Sequence, residues 1–413
     1  MRQSQAFIRT KRETPRGIKV ISHQLLLKGD FIDQTMSGVY SLLPLGLRVF
    51  RKIENIIRKE LTKVGVQELM MPLIHPASLW RKTDRFQTLD KELWRIKDRY
   101  GEDVVLAMTH EEAISAIAAD TLKSYQELPV IVGQIQTKIR DEKRPRGGLL
   151  RLKEFVMQDA YSFDKDKKGL ERSYQKIIRA YRNIFKRCSL KMVIVEASTG
   201  EMGGTASHEF MVLADAGEDK ILICKDCGYK ANVEVMRGRD TCPKCGKKMQ
   251  LKRCIEVGHT FKLGTKYSKA FNIYFKDRKG RKRLTEMGCY GIGLERVMAA
   301  IVETHHDSKG IIWPATVSPF DVHLLCLQPT NKKVVQFAEN LYKTLQKNNI
   351  DILYDDRIVS PGIKLNDADL IGIPVRLVVS EKTQEKNAVE FKLRSQKETE
   401  LIKKDKVVQE LLR

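Results

Sequence analysis

Two short cysteine pairs constrain this chain more tightly than any other local feature. Cys224 and Cys227 stand in CKDC, Cys242 and Cys245 in CPKC, and 14 residues separate the pairs. Two C-x2-C knuckles brought together offer four thiolates at the ~2.3 Å that a tetrahedral Zn²⁺ requires. Four protein ligands leave no open position on the ion, so the expectation is a structural zinc site in a small, ribbon-like and mostly polar module over residues 221–253. Paired thiols of this kind point to a reducing compartment more than to a disulfide framework, which makes the cytoplasm the expected location. The other four cysteines, Cys188, Cys254, Cys289 and Cys326, stand alone and read as buried residues with no assigned role.

A chain of 413 residues has room for two or three domains, each with its own core. Lys and Arg number 75 against 52 Asp and Glu, a formal charge of +23, and such an excess attracts polyanions through phosphate contacts and counterion release. Taken alone, a solvated basic surface accounts for the charge equally well. No apolar run reaches 18 residues, so no membrane span is expected, and the N-terminal MRQSQAFIRTKRETPRG lacks the apolar core of a secretory signal. Internal repeats and low-complexity tracts are absent from the sequence.

Hydrophobic periodicity divides the rest. Leu47, Phe50, Ile53, Ile57, Leu61 and Val64 recur at steps of three and four, which predicts an amphipathic helix with Arg48, Lys52, Arg58, Lys59 and Glu60 off its apolar stripe. VQELMMPLIHP follows as an apolar strand closed by Pro72. TKIRDEKRPRGGLLRLKEFVMQDAYSF reads as strand, turn, strand, because RPRGG is a cluster of breakers, and a helix is expected from about Gly169 to Arg187. FNIYFKD is a strand, and MGCYGIGLERVMAAIVE is a strand running into a helix. Beyond the break from Trp313-Pro314 to Pro319, VHLLCL, a helix over Lys332 to Lys347, IDILYD and VRLVVS alternate strand with helix, the pattern of a compact α/β domain.

Several side chains have the chemistry of a nucleotide or amino-acid site. On an extended strand Arg140 and Glu142 share one face, and Arg151 joins the second strand after the turn. Arginine presents planar, permanently charged donors to phosphate and carboxylate, and Phe155 offers a face to a flat base. By themselves these residues fit a surface hairpin with cross-strand ion pairs at least as well. THEEAI, from Thr109 to Ile114, places a hydroxyl beside two carboxylates, which is equally the start of a helix. GIGLER lacks both G-x-G-x-x-G and the P-loop lysine, so Gly291 and Gly293 serve close strand-helix packing as readily as phosphate binding. His208 and His259 are single histidines, and no HExxH accompanies them.

The order of these segments is more specific than any one of them. A helix ending in a proline-closed strand, an R-x-E strand pair and GIGLER on a helix resemble motifs 1, 2 and 3 of class II aminoacyl-tRNA synthetases. SHQLLLKGDFIDQTMSGVYSLLPLGLRV, THEE, RDEKRPRGGLLRLKEFVMQDAYSF, GHTFKLGTKYS and MGCYGIGLERVMAAIVE, with the later PGIKLNDADLIGIP, look like the bacterial prolyl-tRNA synthetases over nearly the whole chain. The resemblance implies an α+β fold: a six-to-seven-stranded antiparallel sheet flanked by helices, a small zinc-ribbon insertion and a C-terminal α/β anticodon-binding domain. The corresponding domains are 1–220 and 254–316 for catalysis, 221–253 for the cysteine insertion and 317–413 for the anticodon, with a homodimer formed through motif 1. It also implies a proline–tRNA ligase using ATP with Mg²⁺, L-proline and tRNA(Pro).

On the same resemblance, Arg140 holds the α-phosphate and the proline carboxylate, Glu142 the adenine amino group and Phe155 the adenine face, and Arg296 grips the γ-phosphate. Arg151 and Leu152 join the ATP site. Thr109 and Glu111 match the loop that receives the proline imino group, while Glu256 and His259 lie on a strand lining both pockets. A catalytically silent RNA-binding relative is disfavoured because Arg140, Glu142, Phe155 and Arg296 are all present. The chain departs from the family in one respect: many bacterial relatives carry a large editing domain between motifs 2 and 3, where only about 20 residues separate NVEV from CIEVGHTF here.

Overall fold

The computed structural model describes residues 1–89 and 92–412. Two compact units emerge. One comprises Gln34–Tyr40 and Ile53–Ala300; the other comprises Met1–Asp33, Ser41–Lys52 and Ile301–Arg413.

The first unit is built on a nine-stranded sheet. Towards one edge of it lies a hairpin of Val130–Ile139 and Glu154–Asp164, in register from Val130↔Phe163 to Ile139↔Glu154. Glu154–Asp164 pairs with Glu286–Gly293, which pairs in turn with the long strand Gln250–Gly264. All three pairings are antiparallel, and β-branched and aromatic residues supply their apolar faces. One departure from expectation is the strand count, nine instead of six to seven. Asp219–Ile223 and Lys230–Asn232, from the cysteine segment itself, pair into this sheet, and Gln67–Glu68 adds a short parallel edge.

The helix Lys167–Arg187 covers one face of the sheet, close to where periodicity puts it. Asp166 caps it by accepting from the Gly169 N–H at 2.7 Å, and Lys186 and Arg187 face the negative end of its dipole. Leu170, Tyr174, Ile177, Tyr181, Ile184 and Phe185 are buried, each contributing ~1.5–3 kcal/mol of burial. Tyr181 packs edge-on to both Phe185 and Phe210.

Local expectations fail where breakers or charges intervene. The strand predicted through VQELMMPLIHP reduces to Gln67–Glu68 and Ile74–Pro76, since Pro72 cannot donate to a ladder. Arg140 and Glu142 do not share a strand face: the strand stops at Ile139, and Glu142 N–H folds back to the Arg140 carbonyl at 2.8 Å. Arg151 precedes the second strand and forms an isolated bridge with Arg146 across Gly147 and Gly148, both at positive φ. On the helix Pro44–Lys63, Leu47 is 42% exposed although it lies on the predicted apolar stripe. Glu60, placed off that stripe, is buried and pairs with Arg187 at 2.7 Å.

The second unit holds a five-stranded sheet in the order Ile352–Asp355, Val322–Cys326, Val375–Val379, Ala388–Leu393 and Glu400–Lys403. The first three strands run parallel and the last two add antiparallel. Its helix Lys332–Lys347 matches the predicted span and buries Val334, Phe337, Leu341 and Leu345 against Val322, Leu324, Tyr354 and Leu377. The N-terminal segment belongs to this unit, not to the sheet of the first. Its Met1 ammonium donates to the Ile352 carbonyl at 2.7 Å, and Arg2 pairs with Glu339 at 2.6 Å.

Candidate active site

A cavity of about 420 Å³ opens in the first unit. Thr109, Glu111, Arg140, Glu142, Arg151, Leu152, Phe155, Glu256, His259 and Arg296 all line it, so every substrate-contact residue expected from the sequence reaches one cleft. They arrive from a helix start, the hairpin loop, two sheet strands and the helix after GIG. Gly291 and Gly293 line the cleft too, and a Cβ on Gly291 would meet Met157 Sδ at 3.3 Å.

One end is built around Glu111, the first residue of the helix Glu111–Thr121. A carboxylate there also meets the positive end of the helix dipole. Thr109 Oγ1 donates to Glu111 Oε2 instead of capping the helix backbone, and Cys289 Sγ donates to Glu111 Oε1 at 3.0 Å. Burial pushes the Cys289 thiol well above its usual pKa, and the Glu111 charge adds to the shift, so the group stays a donor. Arg85 Nη1 lies 3.4 Å from Glu111 Oε2. Deeper still, Lys138 Nζ pairs with Asp159 Oδ1 at 2.7 Å, and Gln134 and Tyr161 donate to Asp159 Oδ2. This end is a buried, hydrogen-bonded socket with a carboxylate acceptor at its surface, suited to a small ammonium or imino group.

The other end is cationic. Arg140 sits with its guanidinium 5.0 Å from the Phe155 ring and its Nε donating to the Met108 carbonyl at 3.4 Å. Burial and the nearby Arg296 charge push the Arg140 pKa down, yet a guanidinium stays charged in proteins. Two cations facing one cleft repel each other, and an anion between them removes that repulsion. Arg296 Nε donates to the Leu150 carbonyl at 2.9 Å and its Nη1 pairs with Glu256 Oε2 at 2.8 Å. Glu142 accepts from Arg151 Nε at 2.7 Å and from the Arg144 N–H at 3.2 Å. Partial burial opposes its ionisation, but the Arg151 bond and these partners hold Glu142 below the usual carboxylate range.

Between the ends, strand pairing sets Glu209 opposite His259, and His259 Nδ1 lies 2.9 Å from Glu256 Oε1 and 3.9 Å from Glu209 Oε1. Burial disfavours the charged form of Glu256, but the His259 hydrogen bond and Arg296 outweigh it and bring the group down to about 2. Glu209 goes the other way: burial and the Glu256 charge push it up to about 7. Ligand atoms of Glu209, Glu256 and His259 lie within 4.8 Å of one another. Two carboxylates on one rim suit a hard, oxygen-seeking cation such as Mg²⁺.

The cysteine pairs converge as their spacing requires. Cys224 Sγ is 3.5 Å from Cys245 Sγ, Cys227 Sγ is 3.4 Å from Cys242 Sγ, and all four sulfur atoms lie within 4.8 Å of each other. A tetrahedral Zn²⁺ with ~2.3 Å bonds needs sulfur atoms ~3.8 Å apart, so the set fits the ion with small adjustments. The segment is less bare than its composition suggests: Leu222, Ala231, Met236 and Met249 form an apolar cluster with Cys224 and Cys242. His208, the other candidate histidine, is placed by a 2.7 Å hydrogen bond between its Nδ1 and the Tyr174 hydroxyl, and it lies outside the cleft lining.

Sequence reasoning missed Arg85, Cys289, Glu209 and Asp159. Cys289 sits inside MGCYGIG, where its alternation with Gly291 along a strand was a usable signal. Arg85 and Glu209 carry none, since only tertiary pairing brings them to Glu111 and to His259.

Comparison with known proteins gives the family and the fold. Residues 94–305 match the family described as tRNA synthetase class II core domain (G, H, P, S and T), and residues 321–413 match an anticodon binding domain family. The "Proline--tRNA ligase" of Ehrlichia chaffeensis is 42% identical over 426 residues and covers all of both chains. The protein of the same name from Thermodesulfovibrio yellowstonii is 36% identical over 564 residues, covering 100% of this chain and 99% of its own. That longer alignment leaves at least 151 positions (564 − 413) with no counterpart here. Among solved structures, a prolyl-tRNA synthetase from Cryptosporidium parvum complexed with L-proline and AMP superposes with a TM-score of 0.78 at 19% identity. The match covers 95% of this chain and 74% of that one and reports the fold.

Proposed function

Because the chain belongs to the prolyl-tRNA synthetases of class II, we propose a division of labour among the residues of its cleft. The enzyme activates L-proline with ATP to prolyl-adenylate and transfers the prolyl group to the 3′ end of tRNA(Pro), releasing AMP and diphosphate. Glu111, oriented by Thr109, Cys289 and Arg85, receives the proline imino cation. Arg140 binds the proline carboxylate and the α-phosphate together, holding attacking oxygen and phosphorus in line, while Phe155 carries the adenine face and Glu142 its amino group. Arg151 and Leu152 complete the ATP wall, and Arg296 swings from Glu256 to the γ-phosphate. No protein nucleophile is needed: positioning and fixed positive charge at the developing anionic phosphorus supply the rate. Glu209 and Glu256 are the carboxylates that would hold Mg²⁺ brought with ATP, which would supply neutralising charge at the phosphates.

The observation that carries this reading is the single cleft with Glu111 at one end and Arg140 with Arg296 at the other. Zn²⁺ held by Cys224, Cys227, Cys242 and Cys245 braces the 221–253 segment, with 1–220 and 254–316 serving catalysis and 317–413 reading the unpaired anticodon bases. A cytoplasmic homodimer formed through motif 1 belongs to the same proposal. It is supported by exposed Met70 and Ile74, at 79% and 59%, just after the motif 1 helix. The test is Arg140→Ala in proline-dependent ATP–pyrophosphate exchange. Loss of at least ~100-fold is expected from removing a transition-state cation, and exchange equal to wild type would overturn the assignment.

A further inference from the structure

We propose that the cysteine segment is an RNA-binding surface that docks the acceptor arm of the tRNA beside the cleft. The inference rests on the prolyl-tRNA synthetase reading, which requires the 3′ end to reach this cleft. Residues 221–253 hold nine Lys and Arg against three Asp and Glu. A four-thiolate zinc centre carries two net negative charges, so an excess of four positive charges remains after it is counted. Lys225, Arg237, Arg239, Lys244 and Lys247 are exposed, and no carboxylate partner is found for them among the described residues. Lys244 Nζ stands 5.2 Å from the half-buried Tyr229 ring, whose hydroxyl donates to Glu196 at 2.8 Å. A hydrogen-bonded aromatic ring beside an exposed cation is a platform on which an unpaired base stacks while its phosphate is neutralised.

Location distinguishes this surface from a merely soluble face. The segment is tied to the cleft at two points: Glu234 lines it, and Asn232 Nδ2 donates to Glu209 Oε2 at 2.7 Å. Its strands Asp219–Ile223 and Lys230–Asn232 pair into the catalytic sheet, so its position relative to the cleft is fixed by backbone hydrogen bonds. In the longer relative from Thermodesulfovibrio yellowstonii at least 151 further positions are present that this chain lacks, and this basic ribbon is what the chain has between its motif 2 and motif 3 segments.

The variant Lys225→Ala/Lys244→Ala/Lys247→Ala removes three charges and none of the sulfur ligands. In the zinc-loaded full-length enzyme we expect the KM for tRNA(Pro) to rise ~10-fold or more, and the slope of log KM against log salt to fall by ~2. Proline-dependent ATP–pyrophosphate exchange should stay within about two-fold of wild type, with zinc content retained. Unchanged tRNA KM and salt slope overturn the proposal. A second measurement needs no variant: iodine footprinting of phosphorothioate tRNA(Pro) on the wild-type enzyme should protect acceptor-arm phosphates, and protection confined to the anticodon arm overturns the proposal as well. Absence of proline-dependent exchange in the wild-type enzyme is a different result, since it strikes the reading of the cleft itself.

Discussion

Arg85 and Glu112 form a buried, forked ion pair, with Arg85 Nη1 3.0 Å from Oε1 and 3.1 Å from Oε2 of the carboxylate. Both side chains are almost fully enclosed, and the same nitrogen reaches Glu111. Replacing Arg85 by Ala leaves two buried carboxylates with no cation, which costs about 3–5 kcal/mol. Urea denaturation should show that loss, together with a raised KM for proline. A variant of wild-type stability would mean that the pair is not formed as described.

Glu111→Gln keeps the shape of the imino socket and removes its charge. A charge-assisted hydrogen bond contributes about 1.5–3 kcal/mol, so the KM for proline should rise ~10- to 100-fold while the KM for ATP changes little. Pyrophosphate-exchange kinetics with each substrate varied separately would read this. Equal effects on both would place Glu111 outside the proline end.

Glu209 makes stability depend on pH. Its carboxyl is pushed up to about 7 from an unfolded value near 4.5, so the folded state keeps the proton over a range in which the unfolded chain releases it. Its contribution is fully present below pH 4.5 and is lost as pH rises to 7, a change on the order of 3 kcal/mol. Glu209→Gln should therefore gain stability relative to wild type as pH goes from 4.5 to 7, measured by denaturation at several pH values. A constant difference would contradict the shift.

A socket shaped for proline admits alanine, because missing methylenes cost only about 1–3 kcal/mol of discrimination. With no counterpart to at least 151 positions of its longer relative, the enzyme should form some Ala-tRNA(Pro) and fail to hydrolyse it. Incubating the purified protein with Ala-tRNA(Pro) should give no deacylation above the spontaneous rate.

Cys242→Ser removes one of four sulfur ligands. Metal analysis should show zinc falling from one per chain, and the thermal transition should move down, because folding and metal binding of this segment are coupled. Full zinc occupancy in the variant would exclude the four-cysteine site.

Much of this was legible in the chain itself, for identifiable reasons. The helices Lys167–Arg187 and Lys332–Lys347 carry long, unbroken apolar stripes, and periodicity placed both within a few residues. The two C-x2-C pairs are local motifs, legible from their spacing alone. Arg140 and Glu142 line the cleft, but not for the local reason the sequence suggests: they reach it from a loop beyond the strand end, where the backbone doubles back. Glu60 was misplaced because its burial depends on Arg187, 127 residues away. The same non-locality hid Arg85 and Glu209. Each is positioned by an element that carries no motif of its own.

The central claim is that this one cleft selects proline and activates it with ATP. Its most direct test is amino-acid-dependent ATP–pyrophosphate exchange with the purified, zinc-loaded protein, comparing proline, alanine, threonine, serine and no amino acid. The account predicts strong exchange with proline, a weak signal with alanine and none above background with the others. Equal exchange with all of them, or none with proline, would contradict it.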